Sequence, residues 1–192
     1  MLPIAVAGVP DGVAFGALAV AVMGHVAPVV MSATAFSGSA QFATVAVLRE
    51  DGSLGAALLS AFALNARYLA MSAGVPGPSR WARARACLLL TDAAWAVAGG
   101  SRSRLVGAGA TDLASWTFGT VVGVVAGGAL ADPQALGLDA AFPALFLWLL
   151  RDQLGWQAAL GAALALALTP LLAPGLPILV AGLLAGAITV AR

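Results

Sequence analysis

The sequence predicts an all-α polytopic membrane protein, a bundle of about seven or eight transmembrane helices, some broken or short. Three observations carry this reading. Hydrophobic residues make up 61% of the chain and charged residues only 9%, against about 25% charged in soluble domains. Mean hydropathy is +1.00. The apolar runs are long and continuous, without the strict alternation of lipid-facing barrel strands, so they read as helices. At about 20 residues per span, 192 residues form a single transmembrane domain, 1–192.

Helices are predicted over 2–23, 27–48, 54–75, 84–100, 111–131, 139–150, 154–172 and 175–191. The first has no basic n-region, so it reads as a retained span rather than a cleaved signal peptide. Gly8, Pro10 and Gly12 surround Asp11 there, and a break is predicted at that point. Broken helices in transporters expose backbone groups to substrates and ions; a Pro kink without a ligand role is the alternative. The second helix lies between Gly24-His25 and the polar run Arg49-Glu50-Asp51-Gly52. The third stops at Pro76-Gly77-Pro78. The fourth follows Arg80, Arg83 and Arg85 and stops before a loop from Ser101 to Gly109.

The fifth helix begins at Asp112 and Ser115, where an acid suits a helix N-terminus. Asp132-Pro133 ends it. The stretch 139–150 is too short to cross a core of about 30 Å and reads as a half-helix or re-entrant segment. Arg151-Asp152 and Pro174-Gly175 delimit the last two helices. Trp81, Trp116, Trp148 and Trp156 lie near predicted ends, as interfacial belts do, whereas Trp95 lies deeper and reads as packing. With eight spans, Arg80, Arg83 and Arg85 face one side. Arg49, Arg102, Arg104, Arg151 and Arg192 face the other, too even a split to fix orientation.

Composition excludes several functions. A net charge of +1 without a basic stripe argues against a nucleic-acid partner. The single cysteine, Cys87, excludes an internal disulfide, and the single histidine, His25, excludes a histidine-rich metal site. Phosphate-loop, dinucleotide and zinc signatures are absent, so no cofactor and no enzyme activity are expected.

The remaining polar residues mark a pathway. A charge in hydrocarbon costs at least about 2.5–3.5 kcal/mol, so Asp11, Arg67 and Asp92 must be paired, watered or functional. In the second span, Phe36-Ser37-Gly38-Ser39-Ala40-Gln41-Phe42 places small and polar residues between aromatics. Ser37 and Gln41, four apart, would share a helix face and suit a zwitterionic or amide-bearing ligand; close helix packing with a Gln bridge is the alternative. Arg67 either snorkels to the interface, pairs with Asp11 or Asp92, or clamps a carboxylate. Asp92 reads as a proton carrier, since intramembrane acids recur in proton relays, or as a structural partner for Arg67.

These segments together resemble the AzlC-type branched-chain amino-acid permease family, the large subunit of a two-component exporter, from about residue 2 to 150. The carriers are Pro10-Asp11-Gly12-Val13-Ala14-Phe15-Gly16, Phe36 to Phe42, Asn65-Ala66-Arg67-Tyr68-Leu69 and Leu90-Thr91-Asp92. Asp132-Pro133 to Leu138-Asp139 and Phe142-Pro143-Ala144-Leu145-Phe146 complete the series. The resemblance implies secondary export of branched-chain amino acids, and of methionine, with a small, separately encoded AzlD-like membrane subunit. It implies the bacterial cytoplasmic membrane as location. Two departures stand out: Asp11 replaces an aromatic or aliphatic residue after the Pro, and Ala93 replaces an acid after the Thr-Asp pair. The chain is also short at its N-terminus beside the family, which points to a truncated start.

The combined expectation is a proton-coupled exporter embedded in the lipid bilayer. Phe36, Ser37, Gly38, Ser39 and Gln41 line its substrate site, Asn65 and Arg67 hold the carboxylate, and Asp92 or Asp11 carries the proton. A channel or facilitator for a small neutral solute, and a non-transporting assembly subunit, are the rival readings.

Overall fold

The computed structural model describes residues 2–127 and 155–172, together with Pro177, Val180, Ala181, Gly182, Leu184 and Ile188. Every regular element among them is a helix. They are α1 (Leu2–Met23), α2 (Ala27–Thr34), α3 (Gly38–Arg49), α4 (Leu54–Asn65), α5 (Arg67–Ala73), α6 (Arg80–Cys87), α7 (Asp92–Ala98), α8 (Arg102–Ala126) and α9 (Trp156–Leu168). These nine helices already exceed the seven or eight expected for the whole chain, because three of the predicted spans are divided. The helix expected at 139–150 lies outside the described residues, as do the end of the fifth and most of the eighth. Leu2–Met23 and Leu54–Ala73 are long and apolar enough to cross a membrane.

The expected break at Pro10 does not occur. Helix α1 runs unbroken through it. Proline removes one hydrogen bond, but unwinding would strip several peptide groups of their partners. Close packing against α8 also favours an unbroken helix. A methyl group on Gly12 would strike the Trp116 carbonyl, and one on Gly16 the Thr120 carbonyl. From the other side, methyls on Gly119 and Gly123 would strike the carbonyls of Val9 and Val13. The contacts climb both helices together, so α1 and α8 run parallel with backbones touching, as small residues at helix interfaces permit.

The other elements surround this pair. Helices α2 and α3 pack on α1, α2 also reaches α8, α7 packs along α8, and α4 lies against α3. Phe15, fully buried, meets Phe42 of α3 edge-on at 5.8 Å and Trp116 of α8 at 6.2 Å. Trp116 is therefore a core residue, 4% exposed, and not the interfacial anchor its position suggested. Trp81 and Trp156 are exposed, and Trp95 packs in the second cluster around Leu90, Ala94 and Leu105.

Helix α8 begins nine residues earlier than expected. Ser101 caps it, accepting a hydrogen bond from the Arg104 amide at 3.4 Å. The stretch expected to be a loop lies inside the helix, and Gly109 allows α8 to meet the Leu89 carbonyl. Asp112 consequently sits well inside α8 instead of at its start.

Candidate functional site

Three interruptions in helices supply the site. The first, at Ala35–Ser37, divides the predicted second span into α2 and α3. Ser37 is extended, with φ −161° and ψ 102°. Its side chain does not cap α3; the hydroxyl donates instead to Asn65 Oδ1 at 2.6 Å. The second interruption is at Ala66, between α4 and α5, and it sets Arg67 at the head of a new helix. The third runs from Leu88 to Thr91, between α6 and α7. Thr91 caps α7 by accepting from the Ala94 amide at 3.1 Å, which makes Asp92 the first helical residue.

Arg67 joins all three. Its Nε donates to Asp92 Oδ1 at 2.9 Å and its Nη2 to Asp92 Oδ2 at 2.6 Å, the forked geometry that suits a guanidinium and a carboxylate. Nη2 also donates to Ser39 Oγ at 2.7 Å in the first turn of α3. Nη1 donates to the Leu64 carbonyl, beside the break at Ala66. The Tyr68 hydroxyl lies 3.3 Å from Asp92 Oδ2 and from Arg67 Nη2. Of the alternatives open in the sequence, pairing with Asp92 is observed. The two side chains are 22% and 21% exposed. The Nε–Nη2 edge of the guanidinium is thus taken by Asp92, with Ser39 on the second Nη2 hydrogen.

Gln41 belongs to a separate cluster. Since Ser37 lies outside α3, the two do not share a helix face as their spacing suggested. Gln41 Nε2 donates to Ser32 Oγ at 3.3 Å, and Ser32 and Thr120 hydroxyls are 2.8 Å apart. Thr120 commits its proton to the Trp116 carbonyl at 2.9 Å, so Ser32 must donate to Thr120. The chain Gln41 to Ser32 to Thr120 to Trp116 therefore has one direction. All three side chains are fully buried, and Gln41 Oε1 has no hydrogen-bond partner among the described residues. Phe36 packs beside the aromatic cluster, and Gly38 opens α3.

The acids divide as well. Asp92 is clamped by Arg67. Asp11 is 1% exposed in the α1–α8 interface, and its Oδ1 has no partner among the described residues. Asp112 accepts from Thr91 Oγ1 at 2.7 Å and turns its other oxygen toward Gly8 of α1. The structure thus joins Ser39, Arg67 and Asp92 in one network, with the Ser37–Asn65 bond at the adjoining interruption. It leaves Gln41 and Asp11 in neighbouring ones. Sequence reasoning missed Ser32 and Thr120, which are short hydroxyls among many, and treated Asp112 as a helix-terminal acid. The eleven-residue spacing from Ser101 to Asp112, with Ser101 as a cap, was the available signal for its depth.

The chain was compared with known families, curated proteins and solved structures. No curated protein and no solved structure matches it. The family model described as AzlC protein matches residues 3–130, about two-thirds of the chain and the part that contains every residue of these networks. The chain belongs to the AzlC family.

Proposed function

We propose that the chain is a polytopic helical bundle of the bacterial cytoplasmic membrane that exports branched-chain amino acids, and methionine, as a proton-coupled secondary transporter with a small AzlD-like subunit. AzlC is a family of membrane permeases, and this supports the transport class. The observation that carries the substrate class is the Arg67–Asp92 pair at three helix interruptions. A cation and an anion held side by side are the complement of a zwitterion.

In this reading an amino acid replaces an internal ion pair. Its carboxylate takes the Arg67 fork, aided by Ser39 and by the amides at the start of α3, where the helix dipole favours an anion. Its ammonium takes the carboxylate of Asp92. Ser37 and Asn65 hold the adjoining interruption in shape. The exchange conserves charge, so neither Arg67 nor Asp92 is left alone in a low-dielectric site, which would cost several kcal/mol. Asp92 is thereby occupied in both states, and the coupling proton falls to Asp11, the acid without a counter-charge.

The test is efflux of labelled leucine from preloaded cells expressing the chain, with and without the small subunit. Subunit-dependent efflux that collapses with the proton gradient is the expected result. Leucine retention in both cases, with membrane insertion verified, contradicts the substrate. Non-saturating efflux indifferent to the gradient favours a facilitator.

A further inference from the structure

We infer that Asp11 and Asp112 form a carboxyl pair that holds one exchangeable proton, and that Thr91 transmits its occupancy to the Arg67–Asp92 clamp. The inference rests on the transporter reading and names its coupling site. Two facts support it independently. Asp11 is 1% exposed with Oδ1 lacking a hydrogen-bond partner among the described residues, a position where an oxygen awaits a proton or a donor. Asp112 reaches the same interface from α8, its Oδ1 lying 3.5 Å from where a Gly8 side chain would begin, one turn from Asp11.

Within α8, exposed Arg102 and Arg104 lie more than two turns before Asp112. The charged group acting on Asp11 is Asp112, across the α1–α8 interface. Asp112 in turn feels Asp92, which Arg67 holds. Helix α2 carries no charged residue, and α3 carries Arg49 at its far end. Helix α6, which touches α8, carries exposed Arg80, Arg83 and Arg85. Two carboxylates that share a site without a cation cannot both ionise freely, so they titrate as a unit.

The proton changes the clamp through one bond. With the pair deprotonated, Asp112 is a strong acceptor and holds the Thr91 hydroxyl at 2.7 Å. Thr91 is also the cap of α7, so the start of α7 is fastened to α8 with Asp92 facing Arg67. When a proton enters, the new O–H of one carboxyl donates to an oxygen of the other, and Asp112 becomes a weaker acceptor. The first turn of α7 is then freer to move Asp92 from Arg67 and admit a substrate. The proton leaves to water on the side then open, and the clamp re-forms. Thr91 and Asp112 act here as positioning residues for Asp92.

Infrared difference spectroscopy on the intact chain in proteoliposomes tests this without any substrate. Between acid and alkaline pH the wild type is expected to lose a carboxylic-acid signal. Asp11→Asn and Asp112→Asn should each abolish or displace that same signal, and the double variant should remove no more than either single one. Asp112→Glu retains a carboxyl and should retain a displaced signal, which separates loss of the pair from loss of the fold. Additive losses, one independent signal per residue, overturn the shared proton. A second measurement, leucine counterflow against gradient-driven uptake, reads the link to the clamp. Asp112→Asn should lower driven uptake by about tenfold or more relative to counterflow in the same vesicles. Shared titration without any leucine flux in the wild type keeps the pair and overturns the substrate; leucine flux with independent titration keeps the substrate and overturns the pair.

Discussion

Arg67 and Asp92 tie the head of α5 to the head of α7 by two parallel hydrogen bonds, of 2.9 and 2.6 Å, while Arg67 also reaches Ser39 in α3. Removing one partner of such a buried pair strands a charge. Asp92→Ala should therefore lower stability by about 3 kcal/mol, the low end of the range for buried pairs, since both side chains retain some exposure. Arg67→Met/Asp92→Leu should recover most of that loss and remain inactive. Thermal unfolding in detergent, with flux measured alongside, checks both.

Arg67→Lys keeps the charge and loses the fork. A lysine ammonium cannot serve Asp92 Oδ1, Asp92 Oδ2, Ser39 and the Leu64 carbonyl from one plane. Apparent leucine affinity should fall about tenfold or more, the worth of one charged hydrogen bond. A concentration series of leucine counterflow measures it.

The α1–α8 contact should tolerate almost no added volume. Gly12→Ala drives a methyl into the Trp116 carbonyl and should cost about 1–3 kcal/mol. Gly55→Ala, on α4 with its nearest neighbour 3.8 Å away, should be neutral or stabilising by up to about 1 kcal/mol. Equal melting temperatures for the two variants would contradict the parallel backbone contact.

Gln41 sits in the core with Oε1 unmatched among the described residues. Burying an unsatisfied acceptor costs about 1–3 kcal/mol. Gln41→Leu should thus leave thermal stability unchanged or raised, while leucine flux falls. A variant both less stable and fully active would make Gln41 a packing residue.

The two acids should separate by assay. Asp11→Asn should keep leucine counterflow and lose gradient-driven flux. Asp92→Asn should lose both, because it removes the proposed ammonium partner. Counterflow and driven uptake in the same vesicles decide this.

Much of the site was legible because the chain is so apolar. Against that background Ser37, Asn65, Arg67 and Asp92 stood out by polarity alone, and their order matched one family. What the sequence misreported was backbone. Pro10 signalled a break that α1 does not make, since close packing on α8 favours continuity. The break at Ala35–Ser37 has no proline to announce it; its Ser37–Asn65 bond joins residues 28 apart. The stretch from Ser101 to Gly109 read as a loop, but Ser101 caps a helix there and Gly109 serves close approach to Leu89. That misreading moved the start of α8 and hid Asp112.

Competition tests most directly whether a zwitterion replaces the Arg67–Asp92 pair. Leucine counterflow by the wild-type chain with its small subunit would be challenged with isopentylamine, which lacks the carboxylate, and with 4-methylpentanoate, which lacks the ammonium. Excess unlabelled leucine should compete, and neither analogue should do so at equal concentration. Competition by either analogue as strong as that of leucine would contradict it.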